Sequence, residues 1–163
     1  MDRWACDVDH GDRVMWNRPF DESLVIRPAE SDEAGALLDL WRAAGAHPTV
    51  TDTLAAVRRL IDEHPGVLLV AELEGRLAGT IIAGSDGWRG SLYRLAVIPE
   101  MRRRGIGRAL VAEAVRGLNA RGIERVSAVV VEADREAIAF WSSLTDLGVV
   151  PDPLPKVRYV ATL

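Results

Sequence analysis

The sequence is short of cysteine, of lysine and of long apolar runs, and each shortage excludes something. Its one cysteine, Cys6, rules out an internal disulfide and any zinc cluster built on thiolates. A reducing, cytoplasmic setting is the expectation that follows. No apolar stretch approaches the roughly 18 to 20 residues that a membrane-spanning helix needs. The opening Met1-Asp2-Arg3-Trp4-Ala5-Cys6-Asp7 is acidic and mixed, unlike a secretory signal. Lysine occurs once, at Lys156, against 19 arginines. A bias spread over the whole chain reads as a property of the source genome, since a preference for guanidinium at a site would affect only that site.

What is present has the balance of a soluble globular protein. Of 163 residues, 48% are hydrophobic and 27% charged, which excludes a disordered chain, a coiled coil and a collagen-like fibre. The length suits one compact domain. The net charge of −4 is unevenly placed: residues 1–22 hold six Asp or Glu and three Arg, and the rest is nearly neutral. That distribution gives no case for a nucleic-acid partner. Residues 1–22 show no helical or strand periodicity and carry Trp4, Trp16 and Phe20. They are expected to form an N-terminal extension to a domain spanning 23–163. Two readings stand for this extension: a loosely docked arm, or an arm whose aromatics cover a groove or a subunit interface.

From residue 23 the pattern is regular. Residues 24–27 read as a short strand closed by Pro28, and Ser31 reads as the N-cap of a helix bearing Ala34, Leu37, Leu38 and Trp41 on one face. Thr51 or Asp52 is expected to cap a second helix with Leu54, Val57, Leu60 and Ile61 inward. Three strands follow, over 67–73, 77–83 and 91–97, separated by turns at Glu74-Gly75 and Asp86-Gly87. A long helix over 105–121 carries Ile106, Leu110, Val111, Ala114, Val115 and Leu118 inward. The run 126–131 predicts a strand buried on both faces. Asp134 caps a helix through Leu144, and strands are expected at 148–150 and 157–161. The predicted order is β-α-α-β-β-β-α-β-α-β-β, an α/β fold with a mixed sheet of about seven strands and about four flanking helices. Strand 91–97, helix 105–121 and strand 126–131 form one βαβ crossover, with its two strands parallel.

The segment with chemical content is Val97-Ile98-Pro99-Glu100-Met101-Arg102-Arg103-Arg104-Gly105-Ile106-Gly107-Arg108-Ala109-Leu110. A strand ends, a basic loop turns, and two glycines open a helix. First-turn amides of a helix lack intrahelical partners, and with the dipole they form an anion site. Glycine lets an oxygen-bearing anion approach the backbone. Arginines in the loop add bidentate donors. The expected ligand is a phosphate or pyrophosphate. A Walker loop requires Lys-Ser/Thr after its last glycine, and none is here. A dinucleotide fingerprint requires a third small residue where Leu110 stands. What fits is Arg102-x-x-Gly105-x-Gly107.

In that strand-loop-helix setting the motif resembles the GNAT superfamily of N-acetyltransferases. The resemblance covers residues 24–163. Gly79-Thr80 through Asp86-Gly87-Trp88-Arg89-Gly90 to Val97 is similar to a bacterial subgroup acting on ribosomal proteins and small substrates. The resemblance implies acetyl-CoA as co-substrate and no metal. It implies that backbone amides of Arg103, Arg104, Gly105, Ile106, Gly107 and Arg108 bind the pyrophosphate. Leu95, Ala96 and Val97 would pair with the pantetheine arm through backbone atoms. This strand and the next would splay to admit the arm, and a backbone N–H near Val97 would stabilise the developing oxyanion. Arg102 or Arg108 would serve the 3′-phosphate. The helix from Asp134, with Ala137, Ile138 and Trp141, would flank the cofactor; Asp134 stands where the family usually has Asn.

Two departures from the family pattern bear on the chemistry. Many members carry a Tyr that protonates the departing thiolate; here that position is Trp141, whose indole donates a hydrogen bond but does not give up its proton. Tyr93 is the substitute, or else a packed strand residue. The strand 91–97 lacks the carboxylate that often serves as base. Glu132, Asp134 and Asp86 are the nearest by position, and each has a plainer role: strand end, N-cap and turn residue. Glu100 sits beside the motif with no duty implied. His10, His47 and His64 show no metal-ligand spacing. Trp41 and Trp88 are core or acceptor-site walls. The expected partner is a small-molecule amine, or a protein N-terminus or lysine; no nucleic acid and no membrane is implied. The connection 43–52 would shape the acceptor pocket, and the last two strands would complete it or support a homodimer. The alternatives are an acyl-CoA-binding sensor without efficient catalysis, and an ATP or NAD site.

Overall fold

The computed structural model describes residues 5–8, 14–17, 23–154 and 160–161. Seven strands form one sheet in chain order: β1 (Ala5–Val8), β2 (Val14–Asn17), β3 (Ser23–Pro28), β4 (Leu68–Leu73), β5 (Arg76–Ser85), β6 (Gly90–Val97) and β7 (Val126–Ala128). Neighbours are antiparallel from β1 to β6, and β6 runs parallel to β7. The helices are α1 (Ala34–Ala43), α2 (Leu54–Glu63), α3 (Ile106–Ala120) and α4 (Arg135–Ser142). The chain groups into two compact units. Met1–Ala128 carries the sheet and α1 to α3, and Val129–Leu163 carries α4.

Helical periodicity decides how the first unit packs. On α1, Ala34, Leu37, Leu40 and Trp41 are buried; with Val57 and Ile61 of α2 they pack on Leu68, Val70 and Ala96 of the sheet. Alternation along β4 turns Leu69 and Ala71 to the opposite face. On that face Gly79 of β5 lies under Leu110 of α3. Of the expected α3 stripe, Ile106, Leu110, Val111, Ala114 and Leu118 are buried and Val115 is half-buried; Ala109 and Glu113, which pairs with Arg116, join the buried face. The β6-α3-β7 crossover joins parallel strands, as expected.

Several boundaries differ from the sequence reading. The strand total is seven, but two strands stand earlier in the chain. Residues 5–8 and 14–17 extend the sheet beyond β3, pairing Cys6 with Trp16 and Trp16 with Leu24. Four-residue strands are too short for alternation to register, and the free edge of β3 selects them instead. No strand forms at 148–150. A 3-10 turn over Thr145–Leu147 satisfies that backbone locally: Gly148 N–H donates to Thr145 O at 3.0 Å and Val149 N–H to Leu144 O at 3.3 Å. The expected strand at 157–161 falls mostly outside the described residues. The strand expected over 126–131 stops at Ala128, the last residue with a partner on β6. Val129 and Val131 are exposed, so the β-branched run is not a strand buried on both faces.

Two caps also move. Ser31 opens a 3-10 turn, Ser31–Glu33, and its hydroxyl bonds Asp62. The helix proper starts at Ala34. Thr53, rather than Thr51 or Asp52, caps α2 by accepting from Ala56 N–H at 3.2 Å. Asp52 is held elsewhere, by Arg94.

Candidate active site

β6 and the loop after it create the site within the first unit. Gly90, Ser91 and Leu92 pair with Val126, Ser127 and Ala128; beyond them β7 ends while β6 runs on to Val97. Among the described residues no strand pairs with the parallel edge of β6 along Leu95, Ala96 and Val97, which leaves that edge open in the ladder. Backbone direction alternates along a strand, and Ile98 N–H donates to Ala78 O on β5 at 3.0 Å. The N–H of Val97 accordingly points to the open edge. The Val97 carbonyl, on the same edge, accepts from Arg102 Nε at 3.1 Å.

The loop then turns through Pro99–Met101, and Met101 anchors it in the core. Arg103 at φ 63 and Gly105 at φ 81 both take the left-handed conformation. Gly105 is the N-cap of α3, and the first intrahelical bond runs from Ala109 N–H to Gly105 O at 3.0 Å. The amides of Gly105, Ile106 and Gly107 thus have no carbonyl of the helix to donate to. Ile106 is buried and fixes the start of the helix against the core. Three consecutive amides at the positive end of a 15-residue helix suit a doubly charged diphosphate. The open edge of β6 suits an extended amide-bearing arm. Together these features fit coenzyme A.

Arg102 has a structural duty not expected of it. Besides Val97 O it donates to Ala44 O, just past the end of α1, at 2.8 Å. It ties the end of β6 to the connection between α1 and α2. Arg104 and Arg108 are half-buried and Arg103 is exposed.

The proposed acid–base groups are placed as follows. Tyr93 lies on β6 opposite Ile82, about half exposed, on the sheet face that α1 and α2 cover. Asp86 accepts from Arg89 N–H at 2.7 Å and Trp88 N–H at 2.9 Å, and these bonds hold its carboxyl below the ordinary range. That is a turn residue and a poor base. Trp41 is buried with its indole N–H on Thr80 Oγ1, hence core; Trp88 is exposed beneath the Arg89 guanidinium. In the second unit, Asp134 caps α4 by accepting from Ala137 N–H at 2.9 Å. Glu132 is exposed in the turn before it, and Trp141 is half-buried, edge-on to Phe140. The structure thus joins Leu95, Ala96 and Val97 to the 102–108 loop in one unit, while Glu132, Asp134, Ala137 and Trp141 belong to the other.

One residue escaped the sequence reading. Between the pairs Ile82–Tyr93 and Thr80–Ala96, β6 has two residues where β5 has one. This bulge holds Arg94 at φ 48. The available signal was an arginine breaking the apolar run of the strand. Nothing in the sequence shows a positive φ.

An open strand edge next to a glycine-opened helix start, on a mixed sheet with this crossover, is the arrangement of an acyl-CoA-binding fold. The chain belongs to the acetyltransferase (GNAT) family, whose sequence pattern it matches over residues 35–144. An acetyltransferase of Photorhabdus laumondii is 36% identical over 117 residues, 72% of this chain and 81% of that protein. One of Pectobacterium atrosepticum is 33% identical over 121 residues, 74% of this chain and 86% of its own length. The fold is shared with the diaminobutyrate acetyltransferase of Paenibacillus lautus, solved with L-2,4-diaminobutyric acid and coenzyme A (TM-score 0.67, 19% identity, 78% of each chain). This protein is an N-acetyltransferase of that family. Among the described residues no helix is long and apolar enough to cross a membrane.

Proposed function

We propose that the chain transfers the acetyl group of acetyl-CoA directly to a primary amine, on a small molecule or at a protein N-terminus or lysine. The observation that carries the reading is the pairing of two backbone features: the Val97 N–H on the open edge of β6, and the amides of Gly105, Ile106 and Gly107 one loop further on. The second feature holds the diphosphate, with the surrounding 103–108 backbone and arginines adding charge. The first lines the pantetheine arm along Leu95, Ala96 and Val97. Acetyl-CoA supplies a thioester whose carbonyl an amine can attack. Val97 N–H is aimed where charge develops on that carbonyl oxygen. Holding the thioester in place against the incoming amine removes much of the entropic barrier.

The amine must arrive neutral, and the thiolate must leave with or without a proton. Tyr93, exposed on the face that α1 and α2 cover, is the donor we assign to the thiolate. Glu132, free of a capping duty, is a better base than Asp134, whose carboxylate is spent on the Ala137 amide. A cytoplasmic location and a homodimer remain part of this proposal.

The test is titration calorimetry with acetyl-CoA, followed by a CoA-release assay over spermidine, lysine, diaminobutyrate and an alanine-starting peptide. Binding with turnover on at least one amine is expected. Trp141, standing at the family's tyrosine position, favours a second reading, an acyl-CoA-binding module. Tight binding with no release above the enzyme-free rate on any amine would establish that reading.

A further inference from the structure

We propose that Arg94 is a positioning residue that fixes the acceptor wall of the site: it clamps the connection between α1 and α2 to the bulge of the cofactor strand. This rests on the acetyl-transfer reading above and assigns the wall that the amine meets.

Arg94 is one of three non-glycine residues with positive φ in the chain's described part, and the only one inside a strand. The left-handed conformation turns its side chain out of the ordinary strand alternation. The guanidinium then reaches across to residues 47–52. It donates to His47 O at 2.9 Å, to Thr49 Oγ1 at 2.9 Å and to both carboxylate oxygens of Asp52. Asp52 in turn accepts from Thr49 N–H at 2.9 Å and from the Thr49 hydroxyl at 3.1 Å, so the loop closes on the same carboxylate. Arg94 and Asp52 side chains are 15% and 16% exposed, shielded enough for the pair to hold a geometry.

The backbone of the bulge is locked by the same group of residues. The Arg94 carbonyl accepts from the Thr80 hydroxyl at 2.9 Å, and Thr80 Oγ1 accepts from the Trp41 indole N–H at 2.9 Å. The Trp41 ring lies under the guanidinium, 5.2 Å from Cζ to centroid. The circuit runs from the bulge through β5 and α1 and back to the arginine. Three residues after Arg94, the Val97 N–H faces the open edge. One backbone irregularity therefore sets the acetyl position and the loop position together. Val50 and Leu54 flank Asp52 and are exposed, Leu54 against the inward place its helical spacing predicts because it opens α2 beyond the core, and both offer apolar contacts at the rim of this wall.

Arg94→Gly separates the two functions, because glycine adopts φ 48 freely while losing the guanidinium. In the full chain, amide hydrogen exchange over 47–53 is expected to quicken about tenfold or more as the loop opens locally. Acetyl-CoA affinity by calorimetry is expected to stay within about twofold, and the KM for the amine turned over fastest by the wild type to rise about tenfold, with the KM for acetyl-CoA unchanged. Arg94→Lys, which keeps one charged donor for Asp52, is expected to recover part of both effects. Unchanged exchange over 47–53, or equal rises in the two KM values, would overturn the assignment. If the wild type binds acetyl-CoA yet turns over no amine, the transfer reading fails, and the exchange measurement still decides whether Arg94 clamps the loop.

Discussion

A methyl group at position 79 has no room. A Cβ built there would lie 2.7 Å from the Ala96 carbonyl oxygen, 3.1 Å from Leu110 Cδ1 and 3.2 Å from Val97 Cγ2. The first neighbour is backbone of β6 and cannot rotate away. Gly79→Ala must therefore push β6 from β5 or α3 from the sheet, at a cost of about 1–3 kcal/mol. In a chain of this size that lowers Tm by roughly 2–12 °C. Because the displaced atoms belong to Ala96 and Val97, acetyl-CoA affinity is expected to fall with it. A Tm and a calorimetric Kd equal to wild type would show that the two strands part without strain. Gly107 is different, since under the proposed function its amide rather than its missing side chain meets the ligand. Gly107→Glu sets a carboxylate where the diphosphate is expected, while the buried stripe of α3 is untouched. Acetyl-CoA affinity should drop about a hundredfold, near 2.7 kcal/mol, with the melting curve of the free protein little changed. Full affinity would place the diphosphate elsewhere.

At the scale of elements, β3, β4 and the turn before α1 meet at one buried arginine. Arg27 donates to Glu33 Oε1 at 2.6 Å and Oε2 at 2.9 Å, to Pro28 O at 3.0 Å, and to Glu72. Glu33 also accepts from Glu30 N–H at 2.8 Å, closing the turn that starts α1. The guanidinium beside it holds the Glu33 carboxyl below the usual carboxylate range, and the two glutamates raise Arg27 further above its own. Removing the cation leaves two half-buried carboxylates unpaired, so Arg27→Met should cost about 3–5 kcal/mol in urea unfolding. The pH dependence has a definite sign. Glu33 binds its proton less readily when folded, so its contribution is complete above the unfolded carboxyl value, about 4.3. It is lost as pH falls through the lower, folded value. Glu33→Gln should be less stable than wild type at pH 7, and the gap should close as pH drops below about 4. A gap constant with pH would mean that the charge of Glu33 plays no part. None of this network was legible in the sequence. Arg27 falls at the end of the strand read over 24–27, Glu33 in the first turn after the Ser31 cap, and Glu72 within the strand read over 67–73, and no spacing links the three. The elements themselves were legible where a period ran long enough. Fifteen residues of α3 carry four turns of apolar stripe, whereas the short strands at 5–8 and 14–17 carry no period at all. The run at 126–131 misled for the opposite reason: β-branched residues state a preference for strand, but only a partner makes one, and β6 supplies a partner for three residues.

For the whole molecule, the site divides along the same line. The geometry of its backbone part, a strand, a loop and a glycine-opened helix, was legible because that order is written in consecutive residues. The Arg94 clamp was not, because Arg94 stands 42 positions from Asp52 and farther still from Trp41, and the three meet only in the folded chain. The readable half gives a test that needs no acceptor. A ligand that binds only the folded chain adds RT ln(1 + [L]/Kd), about 2.7 kcal/mol at a hundred times Kd. With each kcal/mol worth roughly 2–4 °C at this length, saturating acetyl-CoA should raise Tm by about 5–10 °C. ATP and NAD also carry phosphates that three amides can bind. They lack the pantetheine arm that uses the open edge of β6, and both should fall well short of acetyl-CoA at equal concentration. Adding Gly107→Glu should abolish most of the acetyl-CoA shift, since the diphosphate anchor is lost, whereas Arg94→Gly should preserve it, since the clamp lies on the amine side. A larger shift with ATP or NAD than with acetyl-CoA would mean that the amides at the start of α3 serve a nucleotide, and that the open edge of β6 has another use.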